Sequence, residues 1–222
     1  MATDLSPADM TLDELKPVLI EAMLPHVPFD GWSRAALEAA AQSIGILPAT
    51  ARLAFPGGGG EMLDAQTALA DAKMRAVLDT PDYRALKVRE KVTLAIRTRL
   101  EQAAPHKEAI RRAVNLLAQP QHARLAARLS WRTADSIWRL AGDTATDFNH
   151  YSKRALAAAV YGATLLFWLN DDSENTADSW AFLDRRIGNV MEIEKLKGRF
   201  KPPAERPSLT RFLGRLRYPV EG

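Results

Sequence analysis

The sequence contains no cysteine, which excludes disulfide bonds, zinc sites with thiolate ligands and cysteine nucleophiles. It has only four histidines, far apart in the chain, and no His-Glu-x-x-His pair, so we expect no metal site. No nucleophile–base pair is recognisable, and Gly57–Gly60 lacks the Lys-Ser/Thr of a phosphate-binding loop. We therefore expect neither an enzyme nor a bound cofactor.

Long apolar segments are also missing. The longest apolar run, 155–169, has 15 residues, whereas a helix that spans a bilayer needs about 20. The first ten residues are polar and acidic, without the apolar centre of a secretory signal. These features predict a cytoplasmic protein without a membrane-spanning helix.

The remaining composition is suited to a globular, helical fold. With 222 residues, of which 47% are hydrophobic, the chain can bury a sizeable core. Apolar residues recur at helical spacing, and no run of alternating polar and apolar β-branched residues is long enough for a strand. The sequence therefore predicts an all-α protein.

Prolines, glycines and capping residues divide this pattern into a series of predicted helices. A first helix covers 12–24, Ser33 caps a second, and Leu47-Pro48 starts a short third. Gly57–Gly60 is expected to be a flexible joint. The further predicted helices cover 61–78, 83–103, 105–117, 120–141, about 144–169, 177–198 and about 208–217.

The order of these helices predicts three parts. Residues 1–60 form a three-helix unit of the helix-turn-helix type, and residues 61–198 form a helical body. Residues 199–222 form a basic linker, stiffened by its prolines, and a tethered amphipathic helix.

The segment 35–50 has helix-turn-helix spacing, with an Ala-rich helix, a turn at Gly45 and a second short helix. The run that follows, 52–56 (Arg-Leu-Ala-Phe-Pro), resembles the end of the recognition helix in TetR-type repressors. However, residues 1–60 hold three basic residues against seven acidic ones, and DNA binding depends on neutralising phosphates. We expect this unit to be a scaffold that does not bind DNA.

A long signature lies in the body. It begins with Gly-Asp-x-x-Thr-Asp-Phe-Asn at 142–149 and continues with His-Tyr. It is followed by Leu-Leu-Phe-Trp-Leu-Asn-Asp at 165–171 and Trp-Ala-Phe-Leu-Asp-Arg-Arg-Ile at 180–187. These blocks resemble the lipid-binding accessory protein of ubiquinone biosynthesis, a family with a TetR-like fold. The similarity is densest over 140–198.

The resemblance implies a non-enzymatic protein that holds an isoprenoid or quinone lipid. It implies that this protein presents ubiquinone precursors to a membrane-associated di-iron hydroxylase acting on demethoxyubiquinone. We also expect a homodimer. By position, the resemblance places the partner-binding surface at Trp138, Asp147, Asn149, His150 and Tyr151.

These partner-binding residues also have simpler interpretations. Many family members have tryptophan where this chain has His150, and histidine buries less apolar area at an interface. From the residues alone, Asp143 and Asp147 could be carboxylates near a helix N-terminus, where the helix dipole favours them. Tyr151 could be a partly buried core aromatic.

The predicted helix over 155–169 is apolar on almost every face, so we expect other helices to surround it. Its first half is rich in Ala and Gly, which either permit close helix packing or leave room for a dry tunnel. The resemblance favours the tunnel. The lipid-binding residues are then predicted to be Ile137, Leu156, Val160, Ala163, Leu166, Phe167 and Phe182.

The C-terminal segment is strongly basic. From Lys195 onward it carries eight Lys and Arg residues against two Glu, although the whole chain has a net charge of only +3. A basic amphipathic helix here predicts peripheral attachment to the inner face of a membrane. The alternative is that its apolar stripe docks on the body or on a second copy. The predicted membrane-binding residues are Leu209, Arg211, Phe212, Leu213, Arg215 and Leu216.

Two functions from different classes follow from these patterns. The first is the lipid-binding accessory protein described above. The alternative is a TetR-like transcriptional regulator whose body senses a lipophilic ligand. The acidic charge of residues 1–60 and the basic terminal helix favour the first.

Overall fold

The computed structural model describes residues 6–143 and 148–199. Within these ranges the chain forms α-helices, short 3-10 turns and connecting loops, with no strand, so the all-α prediction is confirmed. The α-helices of the described residues are α1 (Leu12–Met23), α2 (Val27–Asp30), α3 (Arg34–Ser43), α4 (Pro48–Ala54), α5 (Gly59–Leu78), α6 (Pro81–Ala85), α7 (Val88–Ala103), α8 (Lys107–Leu117), α9 (Ala123–Leu140), α10 (Phe148–Leu169) and α11 (Ala177–Arg199).

Helices α1, α3 and α4 pack together as the predicted helix-turn-helix arrangement. Ser33 caps α3 as expected, since its side chain accepts a hydrogen bond from the backbone N–H of Ala36. The turn after α3 places Gly45 at a φ of +74°, where glycine is favoured. The backbone N–H of Ile46 then reaches back to the carbonyl of Ala41 at 2.8 Å and closes this helix end.

The prediction that Gly57–Gly60 forms a flexible joint is wrong, because Gly59 and Gly60 are the first residues of α5. A Cβ atom added to Gly59 would lie only 2.5 Å from the backbone oxygen of Trp32, so this close approach requires glycine. The indole of Trp32 in turn donates to the carbonyl of Ala109 in α8 at 3.0 Å. The glycines therefore allow the N-terminal helices to pack directly against the body.

The predicted continuous helix over 83–103 is also wrong. The chain instead forms α6 and α7, with an extended break at Leu86 and Lys87. The side chain of Glu90 accepts a hydrogen bond from the backbone N–H of Lys87 at 2.9 Å and so caps the start of α7. The hydroxyl of Tyr83 donates to the carbonyl of Lys91 at 3.1 Å and holds α6 against α7.

Two apolar clusters form the core. One joins α1, α3 and α4 to the start of α5 and to residues of α8 and α9. The other joins the end of α5 to α6, α7, α9, α10 and α11, and includes the buried Trp168. The first cluster crosses the predicted boundary at residue 60, so the N-terminal helices share their core with the body. The division into parts ending at residues 60 and 198 stays a prediction.

The turn between α10 and α11 depends on the carboxylate of Asp171. This carboxylate accepts hydrogen bonds from the backbone N–H groups of Ser173 and Ser179, each at 2.9 Å, and from the Ser179 hydroxyl. Burial alone would raise the pKa of Asp171, but these hydrogen bonds outweigh burial and hold its pKa well below its usual range. The carboxylate therefore stabilises the start of α11.

We predict that Asp171→Asn lowers the free energy of unfolding at pH 7 by about 1–3 kcal/mol, since buried N–H and O–H donors lose a charged acceptor. Because the pKa is lower in the folded than in the unfolded chain, this stabilisation is present above pH ~4 and is lost as the pH falls below that value. Urea unfolding between pH 7 and pH 2 should show the two proteins converging at low pH. Asp172→Asn, at the exposed neighbouring position, is the control and should match the original protein throughout. A difference that is constant with pH would contradict this role.

Candidate functional site

An apolar groove lies between α7, α9, α10 and α11, with a volume of about 240 Å³. Its walls are mainly aliphatic, and its polar contributors are two basic side chains at the rim. The lining residues are Val88, Arg89, Val92, Trp138, Lys153, Leu156, Ala157, Val160, Ile187 and Val190. Such a surface favours a hydrocarbon ligand, because it offers burial without hydrogen-bond partners.

The rim of the groove is held by Trp138 and Lys153. The indole N–H of Trp138 donates to the backbone carbonyl of Lys153 at 2.9 Å. The ammonium group of Lys153 lies 5.4 Å from the centre of the Trp138 ring and 2.7 Å from the carboxylate of Asp143. These contacts fix both side chains, so that the groove has a preformed edge.

The Gly-Asp pair of the signature closes the end of α9. Gly142 has a φ of +89°, and its N–H reaches the carbonyl of Arg139 at 3.0 Å. The N–H of Asp143 reaches the carbonyl of Trp138 at 3.0 Å, which completes a glycine-dependent helix end. Asp143 lies just past the C-terminus of α9, and its carboxylate pairs with Lys153 and Arg154 in the second turn of α10.

A buried network of charges joins α9, Asp143 and α10. Arg154 is almost wholly buried, and its guanidinium contacts Asp135 at 2.6 Å and Asp143 at 3.1 Å. Asp135 also pairs with Arg139 at 2.6 Å. Sequence reasoning missed this network. A signal was available, because Arg154 directly precedes the apolar run 155–169.

The seven predicted lipid-binding residues do not surround one cavity. Leu156 and Val160 line the groove, whereas Ile137 is fully buried in the core. Ala163 is half-buried outside the groove lining. One side of the last turn of α10 is not covered, since 54% of Leu166 is exposed and Phe167 is partly exposed, whereas Trp168 and Leu169 are buried. The tunnel wall predicted along the whole helix is therefore limited to its first half.

The exposed end of α10 forms an apolar patch with α11, which we call the aromatic patch: Leu166, Phe167 and Phe182. The two phenylalanine rings stack with their centres 4.6 Å apart. The guanidinium of Arg186 lies 5.0 Å from the centre of the Phe182 ring. The described residues leave about half of the Leu166 surface open to solvent.

Of the predicted partner-binding residues, Tyr151 is exposed and Trp138 is half-buried at the rim of the groove. Asn149 and His150 lie in the first turn of α10, but their side chains, and the whole of Asp147, are outside the described residues. Tyr151 is 61% exposed, which contradicts the core-aromatic alternative. Its ring centre lies 6.0 Å from that of Trp131 in α9.

Sequence reasoning missed Trp131. The signal was its spacing, because Trp131 and Trp138 are seven residues apart and therefore share one side of α9. Two arginines of α9 flank these tryptophans in sequence, Arg128 before Trp131 and Arg139 after Trp138. The guanidinium of Arg128 contacts the carboxylate of Asp64 at 3.0 Å, and that of Arg139 contacts Asp135. The structure thus shows an exposed aromatic pair with basic side chains beside it.

The helix-turn-helix surface is poorly suited to DNA. The guanidinium of Arg52 contacts the carboxylate of Glu38 at 2.8 Å, so its charge is already paired. Around it, Leu47 and Leu53 are exposed. DNA-reading surfaces rely on basic and polar side chains, which supports the expectation that this unit is a scaffold.

The predicted membrane-binding residues between 209 and 216 lie outside the described residues, so peripheral membrane attachment stays a prediction. None of the described helices is long and apolar enough to cross a membrane. Among the described residues, no three His, Asp or Glu side chains are grouped in a way that would hold a metal ion.

Comparison with known proteins places these features in a family. Residues 123–194, which include α9, α10 and most of α11, match the family model described as COQ9. The chain is 31% identical over 188 residues to the ubiquinone biosynthesis protein COQ9, mitochondrial, of Rattus norvegicus. It is 30% identical over 188 residues to the Homo sapiens protein of the same name. The resemblance to the COQ9 family is confirmed.

The similarity to COQ9 covers most of this chain and part of each relative. The two alignments take in 82% of this chain, with 60% of the rat protein and 59% of the human protein. The chain thus spans about three fifths of the length of the curated relatives it matches. The groove, the buried Arg154 network and the Trp131–Tyr151 pair all include residues of the COQ9-matched segment.

A solved structure confirms the predicted fold. The TetR transcriptional regulator from Nitrosomonas europaea ATCC 19718 matches with a TM-score of 0.64 at 19% identity. The match covers 81% of this chain and 99% of the regulator. The helix-turn-helix unit and helical body therefore have a TetR-like arrangement. At this low identity the likeness concerns the fold alone.

Proposed function

We propose that this chain is a non-enzymatic accessory protein of ubiquinone biosynthesis. It holds an isoprenoid or quinone lipid and presents it to a di-iron hydroxylase that acts on demethoxyubiquinone. The names of the COQ9 relatives support the pathway. The observation that carries the lipid-binding part is the apolar groove between α7, α9, α10 and α11.

The size of the groove limits what it holds. Its volume of about 240 Å³ is below the roughly 300–1,000 Å³ of most ligand pockets, so it takes part of a prenyl chain while the rest stays outside. Each methylene buried there contributes about 0.8 kcal/mol. The charge of Lys153 is already paired with Asp143, so binding depends on the shape and burial of the hydrocarbon.

Filling the groove should reduce lipid binding. We predict that Ala157→Leu raises the Kd for ubiquinone with a two-unit isoprenoid tail by about tenfold, because the larger side chain displaces roughly two buried carbons of the ligand. Quenching of tryptophan fluorescence by the quinone measures the Kd. Ala159→Leu, on an exposed face of the same helix, is the matched control and should bind like the original protein. Equal affinities for all three proteins would place the lipid elsewhere.

The exposed pair Trp131 and Tyr151 is the proposed centre of the hydroxylase-binding surface. Tryptophan, tyrosine and arginine dominate the energetics of protein interfaces. Here the rings of Trp131 and Tyr151 are neighbours, and Arg128 lies three residues before Trp131 on the same side of α9. The surface lies beside the groove because Trp138, on the same side of α9, forms its rim. A hydroxylase docked on this pair would therefore be close to the lipid.

We predict that Trp131→Ala and Tyr151→Ala each weaken binding to the demethoxyubiquinone hydroxylase of the same organism by about tenfold to thirtyfold, since each removes a large exposed ring. Surface plasmon resonance gives the Kd values. Phe29→Ala removes an aromatic ring that is 83% exposed on α2 and serves as the control. If Phe29→Ala weakens binding as much as the other two variants, the surface is assigned wrongly.

The aromatic patch is the proposed contact between two copies of the chain. Its exposed apolar atoms favour burial, and the flanking charges on α11 have both signs, with Asp178 and Asp184 beside Arg185 and Arg186. A two-fold axis brings the same patch of both copies together, so α11 of each copy would contribute charges of both signs to the contact. The patch therefore suits a second copy of the same chain.

We predict a dimer in solution that Leu166→Glu converts to monomer, because the change puts a charge into the apolar contact. Size-exclusion chromatography with light scattering reports the mass. Val77→Glu, at a position that is 57% exposed on α5, should leave the dimer intact. A monomeric original protein, or a dimer in both variants, would contradict this assignment.

The alternative function, a TetR-like regulator that senses a lipophilic ligand, has only its fold in its favour. The pairing of Arg52 with Glu38 and the excess of acidic residues in 1–60 weigh against DNA binding. We therefore retain the accessory protein as the proposed function.

A further inference from the structure

One cation at the rim of the groove has no carboxylate paired with it. Arg89, in the first turn of α7, lines the groove together with Val88 and Val92 of the same helix. It is exposed, and it forms no ion pair among the described residues. The other cation of the groove differs, because the ammonium group of Lys153 contacts the carboxylate of Asp143 at 2.7 Å. The charge that the groove leaves open to a ligand is therefore that of Arg89.

Arg89 also contributes to the lining of a second cleft, of about 290 Å³, between α7 and α11. The acidic residues of this lining are Glu90 and Asp184. The carboxylate of Glu90 accepts a hydrogen bond from the backbone N–H of Lys87, and neither carboxylate is paired with Arg89 within the described part of the chain. These two carboxylates repel an anion from the cleft, so an anion is favoured on the groove side of Arg89.

The stability of α7 does not account for Arg89. The N-terminus of an α-helix carries a partial positive charge, so a cation in the first turn is unfavourable there. The hydrogen bond that Arg89 forms with the described residues uses its backbone carbonyl, which accepts from the Thr93 hydroxyl at 3.0 Å. The unpaired guanidinium at the edge of an apolar groove therefore needs another explanation, and a negatively charged ligand would supply one.

The chemistry of arginine narrows the class of ligand. Its planar guanidinium forms two parallel hydrogen bonds with a carboxylate or a phosphate group. The rest of the groove offers aliphatic contact from side chains such as Leu156 and Val160. A hydrocarbon chain that ends in an oxyanion would use both parts of this surface.

We propose that the groove selects such an amphiphile, with its chain against Leu156 and Val160 and its carboxylate or phosphate on the guanidinium of Arg89. A neutral quinone binds through burial of its chain and gains less from Arg89. This inference rests on the proposed function, because it names the class of lipid that the same groove prefers.

Geranic acid and geraniol are the main probes, since they share a carbon skeleton and differ in a carboxylate against a hydroxyl group. Isothermal titration of the full chain at pH 7, where the acid is ionised, should give geranic acid a Kd at least about threefold lower than that of geraniol. A groove without an available cation would prefer geraniol, because removing a carboxylate from water is unfavourable. Geranyl phosphate is the second arm, and the tighter of the two anions identifies the head group.

The role of Arg89 is tested by Arg89→Gln. This change should weaken the binding of geranic acid by about threefold to tenfold and change the Kd of geraniol by less than about twofold. Arg124→Gln, at an exposed arginine of α9 that does not line the groove, is the matched control and should leave both Kd values unchanged. The Tm of Arg89→Gln should equal or exceed that of the original protein, because a cation leaves the first turn of α7.

A second measurement uses the original protein alone. Raising the NaCl concentration from about 0.05 M to about 0.5 M should weaken the binding of geranic acid by about threefold and leave geraniol binding unchanged or tighter. An equal response of the two probes to salt would contradict a charge contact in the complex.

The variant Ala157→Leu separates a failure of this inference from a failure of the proposed function. If geraniol binds as tightly as geranic acid, or if Arg89→Gln weakens both equally, the preference for an oxyanion is wrong. Weaker binding of both probes to Ala157→Leu would in that case still support the groove as the lipid site. If neither probe binds the original protein, or if Ala157→Leu leaves both Kd values unchanged, the groove is not the lipid site and both proposals are overturned.

Discussion

The buried guanidinium of Arg154 is the interaction on which the candidate site depends. It contacts Asp135 of α9 and Asp143 of the loop that follows. A buried charge costs several kcal/mol unless it is paired, so these contacts favour the observed register of α10 against α9. That register brings Tyr151 beside Trp131, and it places Lys153 over the ring of Trp138 at the groove rim.

Helix α10 connects the proposed activities because each uses a different stretch of it. Its first turns carry Tyr151, its middle forms a wall of the groove through Leu156 and Val160, and its last turn carries the aromatic patch. A lipid, a protein partner and a second copy of the chain would then all contact one rigid helix.

The secondary structure was largely predictable where the signals are local. Ser33 marked the start of α3, and the spacing of prolines and glycines located most other helices. The errors arose at helix starts, where a specific contact rather than apolar periodicity decides. The break before α7 depends on Glu90 accepting from a backbone N–H, and the start of α5 depends on the approach of Gly59 to Trp32. Neither contact is visible in the apolar periodicity of the sequence.

The sequence by itself determined the all-α class, the helix-turn-helix spacing and the resemblance to COQ9, because these depend on residues close together in the chain. Only the tertiary structure decided whether each apolar side chain lies in the core, lines the groove or is exposed to solvent. Ile137, Val160 and Leu166 are similar in hydrophobicity, yet the first lies in the core, the second lines the groove and the third is exposed. Their surroundings come from helices far apart in sequence, so burial was settled only when those helices packed together.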